Sequence, residues 1–104
     1  MQIRVSAARS ELDRAEIDRI EKSLEKLDRR LGDRREVFAD VRVSENGGAG
    51  GYKVTVELEY GRTHLIAKAD HADVNTAVRE ARDELLRQIN DRKRGGHSSM
   101  AKGT

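Results

Sequence analysis

Between Leu31 and Val37 the apolar residues of this 104-residue chain change period, and that change limits what it can fold into more than any other feature. Upstream, Ile17, Ile20, Leu24, Leu27 and Leu31 recur at spacings of three and four, which predicts a helix with one apolar face. Downstream, Val37, Ala39, Val41 and Val43 alternate, as do Val54, Val56 and Leu58, then Leu65, Ala67 and Ala69. Alternation predicts strands with one buried face. The helical period returns in Val74, Ala77, Val78, Ala81, Leu85 and Ile89, and Ile3 and Val5 in QIRVS (2–6) supply a short opening strand. The order is strand, helix, strand, strand, strand, helix. Both helices need an apolar surface, and the strands provide one on a single side. The expected fold class is α+β, a two-layer sandwich of one four-stranded sheet with both helices on the same face. Arg42, Lys53, Thr55, Glu57 and Glu59 then occupy the opposite face, open to water.

Local signals fix the joints. Asp13 suits the N-cap of the first helix, with Glu16 in its first turn, and Gly32 suits the residue just past its end. NGGAGG at 46–51 is a hairpin loop and Gly61-Arg62 a turn, while Asp73 caps the second helix. After Arg94 the stretch GGHSSMAKGT has no period, so the chain divides into one domain at 1–94 and a flexible tail at 95–104.

Composition narrows the function. Hydrophobic residues are 36% and the aromatics only Phe38, Tyr52 and Tyr60, which allows a thin aliphatic core. The chain has no cysteine, which excludes disulfides, thiolate metal sites and thiol catalysis. No apolar run reaches the roughly 18 residues of a membrane span, so no membrane partner is expected and the location expected is cytoplasmic. The histidines at 64, 71 and 97 fall on a strand face, in a turn and in the tail, without metal-ligand spacing. Glu57 and Glu59 share a strand face but nothing points to a pocket around them, and NGGAGG has neither a phosphate-loop lysine nor a helix behind it. No catalytic residue, metal, cofactor or small-molecule substrate is expected, and the chain reads as a non-enzyme.

The charges carry more. Charged residues are 38%, yet 21 bases against 19 acids leave a net charge of only +2. On a helical wheel of the first helix, Arg19, Lys22, Lys26, Arg29 and Arg30 gather opposite the apolar arc, while Asp18, Glu21, Glu25 and Asp28 line one flank. Glu21 with Glu25, and Lys22 with Lys26, are like-charge neighbours that work slightly against the helix. A plain solvated face remains one reading of this pattern, and a ridge made for a negative partner is the other. In the second helix Arg79, Arg82 and Lys93 border the apolar arc on one side, and Glu80, Glu84 and Asp91, with Arg87 among them, border it on the other. Arg92-Lys93-Arg94 closes the helix, where bases also suit the negative end of its dipole. Two such helices on one sheet can join their bases into a strip that tracks phosphates.

The ordered set of MQI at the start, LEKL at 24–27, VRVSE at 41–45, AKA at 67–69, Asp73-Val74 and RQI at 87–89 resembles the ribosome hibernation promoting factors. These are also called the ribosome-associated inhibitor A or sigma-54 modulation family, and the resemblance covers roughly residues 1–94 of the short form. It implies a β-α-β-β-β-α domain similar in shape to double-stranded RNA-binding domains. It further implies docking on the small ribosomal subunit and its ribosomal RNA, in the channel used by messenger and transfer RNA, to silence translation in stress. The expected oligomeric state is a monomer on the ribosome. The positions that match the family's RNA-facing bases are Lys22, Lys26, Arg29 and Arg30, then Arg79, Arg82, Arg87, Arg92, Lys93 and Arg94, with Arg19 beside them on the basic side of the first helix. The chain departs from the family at 73–78, where DVNTAV lacks the aromatic of DMYAAI, and in carrying Asp18, Glu84 and Asp91 where relatives carry bases. Two other readings stay open: a protein-interaction or dimerisation module using the open sheet face, and a stand-alone binder of double-stranded RNA.

Overall fold

The computed structural model of the chain describes residues 1–8, 12–32, 36–45 and 50–103, with side chains described as far as Arg92 and not for Ala8. Its elements are β1(Gln2–Ala8), α1(Arg14–Leu31), β2(Val37–Glu45), β3(Tyr52–Tyr60), β4(Thr63–His71) and α2(Val74–Gly103). The expected order is therefore the observed one. The four strands lie in sequence order in one sheet; β1 runs parallel to β2, and β2–β3 and β3–β4 are antiparallel. The parallel pair is what a helix crossover between consecutive strands permits, and the short hairpin connections give the antiparallel ones.

The two periods decide what is buried. Ile20, Leu24 and Leu27 on α1 are fully buried, as are Ala77, Val78, Ala81 and Leu85 on α2. They close over Val37, Ala39, Val41 and Val43 of β2, Val54, Val56 and Leu58 of β3, and Leu65 and Ala67 of β4, in one continuous core. Ile17, Ile3, Val5 and Ala69 are half-buried at its margin. Helix α2 lies across β3 and β4 with α1 beside it.

Capping chemistry starts both helices. Asp13 Oδ1 accepts from the Glu16 N–H at 2.8 Å and Glu16 Oε1 accepts from the Asp13 N–H at 3.1 Å, a reciprocal box. Gly32, at φ 69°, ends α1 and donates its N–H to the Asp28 carbonyl at 3.1 Å. Asp73 Oδ2 accepts from the Thr76 N–H and hydroxyl, both at 2.9 Å. Those bonds, the hydroxyl's first, hold the Asp73 carboxyl below the usual aspartate range. A carboxyl depressed in the folded state stabilises above its unfolded pKa, and loses that contribution as pH falls through the folded one. Asp73→Ala is accordingly expected to melt lower than the wild type at neutral pH, with the gap closing in strong acid; melts from pH 7 downward check this.

Residues 46–49 of the NGGAGG loop lie outside the described residues, but its last glycine shows why glycine is needed there. Gly51 has φ 85°, and a Cβ on it would stand 2.9 Å from the His71 carbonyl oxygen and 3.2 Å from the Ala72 Cα, backbone atoms that cannot step aside. Gly50 has φ 77° with open space around it. Gly50→Ala is expected to cost about 1–2 kcal/mol for its left-handed backbone, and Gly51→Ala distinctly more, as urea midpoints would show.

The sequence places the end of the second helix at Arg94, where its apolar period stops. As backbone, α2 runs on to Gly103, since no proline interrupts it and a formed turn propagates readily. The side chains of Lys93, Arg94 and the 95–104 segment lie outside the described residues, and so does the expected boundary between domain and tail.

Candidate nucleic-acid interface

The two helices lie side by side and run the same way. Arg19, Lys22 and Ser23 of α1 line one end of a shared, shallow groove with Asn75 and Arg79 of α2, about 350 Å³ in volume and largely open to solvent. Further along, the Arg30 Nε donates to Asn90 Oδ1 across the same seam at 2.7 Å. The helical phase that buries Ile20, Leu24 and Leu27 turns Arg19, Ser23 and Arg30 toward α2, and the phase that buries Ala81 and Leu85 turns Asn75, Arg79 and Asn90 toward α1. The acids of α1 fall outside this arrangement. Asp28 marks the outer flank of α1, 3.7 Å from the Met1 amino group, and Glu21 and Glu25 share that flank. Asp18, one of the departures from the family pattern, pairs with Arg14 at 3.6 Å.

The expected site residues divide by what they already hold. Among the described residues, Arg19, Lys22, Lys26 and Arg29 are exposed and engage no carboxylate within ion-pair distance. With Arg30 and Arg79, also exposed, they form the seam and the ridge of α1. Among the described residues, Arg79 makes a single, long bond, to the Thr76 hydroxyl 3.3 Å from its Nη2.

Arg82 and Arg87 are placed differently. The Arg82 side chain is only 10% exposed, and its Nε and Nη2 donate to Asp83 Oδ1 at 3.0 and 2.8 Å. Arg87 stands on the outer flank, donating to Glu84 at 2.6 and 3.0 Å and to Asp91 at 2.9 Å. The Arg87 guanidinium, helped by the Gln88 amide at 3.0 Å, pulls the Glu84 carboxyl down to about 2, and Glu84 in turn raises Arg87. Their charges are spent locally. Arg92 is exposed near the end of the described side chains, and Lys93 and Arg94 lie beyond them.

Sequence reasoning passed over Ser23, Asn75 and Asn90, the neutral donors and acceptors of the seam. Their signal was only positional: each falls on the same helical flank as the seam bases. The Arg82–Asp83 pair carried no signal, because adjacent residues on a helix point about 100° apart and their side chains meet only by bending back.

The opposite face of the sheet is open, as the alternation predicts. Arg42 Nη1 bridges Glu57 at 2.8 Å and Asp40 at 3.3 Å, and His64 Nε2 meets Glu57 at 3.2 Å. The Arg42 bond, above all, lowers the Glu57 carboxyl. Asp40, Glu57 and His64 line a concavity of about 700 Å³ that Gln2, Arg4, Phe38 and Glu59 help to complete. It is the larger hollow, but Asp40, Glu57 and Glu59 give it a largely acidic lining, whereas the seam groove is lined by bases alone among charged residues. Phe38 and Ile66 are exposed on this face at 44% and 41%. Among the described residues no cluster of histidines and carboxylates fits a metal ion, and no helix is long and apolar enough to cross a membrane.

This architecture has known counterparts. Residues 3–95 match the family model described as sigma 54 modulation protein / S30EA ribosomal protein. Among solved structures the chain is similar to the N-terminal domain of Protein Y from Thermus thermophilus, at 25% identity and a TM-score of 0.73, covering 86% of this chain and 96% of that one. It shares its fold with a ribosomal subunit interface protein from Coxiella burnetii, at 18% identity and a TM-score of 0.77, covering 91% of this chain and all of that one. No curated protein matches the chain.

Proposed function

The chain belongs to the sigma 54 modulation protein / S30EA ribosomal protein family, and from that premise we propose that it is a ribosome-associated, non-enzymatic inhibitor of translation. It binds ribosomal RNA of the small subunit through the ridge of α1 and the seam with α2. There it occupies the messenger and transfer RNA channel and excludes both by bulk, as a cytoplasmic monomer acting under stress. The observation that carries this reading is the placement of charge. Among the described residues, the bases of the α1 ridge and of the groove with Arg79 engage no carboxylate, the acids of α1 keep to its outer flank, and Arg82 and Arg87 are held by neighbouring carboxylates. Phosphate contacts of this kind supply affinity without reading sequence. The departures at Asp18, Glu84 and Asp91 fit it, since each is engaged by an arginine away from the seam.

Binding that neutralises phosphates releases counterions, so the logarithm of affinity for small subunits is expected to fall linearly with the logarithm of salt. Arg79→Gln is expected to flatten that slope by about 0.7–0.9. Arg82→Gln is expected to leave it unchanged, because Asp83 already holds that guanidinium. Co-sedimentation with ribosomes over a potassium series checks both. A flat series with an intact complex would overturn the RNA-binding reading. It would favour the second one, a protein-binding module, for which the exposed Phe38 and Ile66 on the open sheet face are the supporting observation.

A further inference from the structure

The basic seam is not uniform along its length. At one end Arg19, Lys22 and Arg79 converge on a groove that Ser23 and Asn75 complete, and no carboxylate lines it. Further along, Arg30 is engaged by Asn90 at 2.7 Å and Arg82 by Asp83 at 2.8 Å. Lys26 and Arg29 offer charge on an open ridge without walls. The groove alone combines convergent cations, neutral donors and a concave surface. Its volume of about 350 Å³ stands at the small end of ligand pockets, which begin near 300 Å³. Of the backbone amides that open α2, that of Thr76 is already taken by Asp73 and that of Ala77 by the Asp73 carbonyl, so the side chains supply most of the donors there.

We infer that this groove is a discrete phosphate-binding site and anchors the RNA-binding surface at one point. Arg19 and Arg79, one from each helix, can fork onto phosphate oxygens from two sides, and Lys22 adds a third positive charge. The Ser23 hydroxyl and Asn75 amide can donate to the remaining oxygens. The shared chemistry is a phosphate ester or anhydride, whether an RNA backbone or a free phosphorylated metabolite. The identity of the backbone as source rests on the function proposed above; the site itself does not.

The test is a titration of the free, full-length protein, followed by nuclear magnetic resonance, with inorganic pyrophosphate in one arm and a short single-stranded RNA in the other. Saturable shifts centred on residues 19–23 and 75–79, including the Asn75 side-chain amide, are expected in both arms. The double variant Ser23→Ala/Asn75→Ala keeps every charge and is expected to bind pyrophosphate about tenfold more weakly, roughly what two neutral hydrogen bonds contribute together. Its own spectrum shows whether it is folded. Shifts spread evenly over Lys26, Arg29 and Arg92, or an affinity untouched by the double variant, would overturn the site in favour of diffuse attraction. Pyrophosphate shifts in the groove without RNA shifts there would keep the site and assign it to free phosphoanions. Loss of ribosome binding alongside intact pyrophosphate binding would count against the proposed function alone, and diffuse shifts alongside intact ribosome binding against the groove alone.

Discussion

Leu24→Ala is expected to lower stability by about 2–5 kcal/mol, while Arg29→Ala stays within roughly 0.5 kcal/mol of the wild type. Leu24 has no exposed surface and sits in the single core, so truncation removes apolar contact and leaves a void under α1. The sheet beneath offers mostly valines and alanines, whose short side chains cannot reach into that space. Phe38, the one phenylalanine, is on the other face of the sheet and cannot fill it either. Arg29, five residues on, points away from the core and engages no carboxylate among the described residues. Chemical denaturation of both variants measures the difference. Equal losses would mean that the helix is rotated from the orientation that places its bases on the ridge and in the seam.

The fold was legible because burial leaves a periodic trace. The change from Leu31 to Val37, and the return at Val74, state which residues face inward whatever the strand order. Asp13, Gly32 and Asp73 were legible for a related reason: capping is a local interaction, complete within three or four residues. Strand neighbours were not legible. Alternation in β1 fits either direction of pairing, and only the α1 crossover makes its partnership with β2 parallel. The site was half legible. The wheel sorted bases from acids on the first helix and set Arg87 among the acids of the second, but it could not show which bases were already taken. Arg87 meets Glu84 and Asp91 at ordinary helical spacings of three and four, so its commitment could have been read from the sequence. Arg82 could not, since it is held by its immediate neighbour Asp83, a pairing that helical spacing does not suggest. Ser23 and Asn75 became part of a groove only once two helices distant in sequence were laid together.

That division of the bases separates net charge from placed charge as the source of affinity. Reversing Lys22, Lys26, Arg29 and Arg30 together to glutamate is expected to abolish co-sedimentation with ribosomes at moderate salt. Exposed charge pairs contribute about 0.2–1 kcal/mol each, so four lost contacts amount to roughly 1–4 kcal/mol before the repulsion of four new carboxylates is added. The fold should survive, because none of the four is in the core, although the bases at 29 and 30 also suit the end of α1 and their loss will lower melting slightly. Circular dichroism separates that effect from binding. The sharper comparison changes one charge at a time. Lys22→Gln and Arg87→Gln alter the net charge equally, but Lys22 lines the groove, and Arg87 is bound by two carboxylates on the outer flank. If placement governs, the first weakens ribosome binding several-fold and reduces its salt slope by about 0.7–0.9, and the second changes neither. Equal weakening by the two would show that the ribosome responds to the protein's overall charge, and the ridge and seam would lose their claim to be the binding surface.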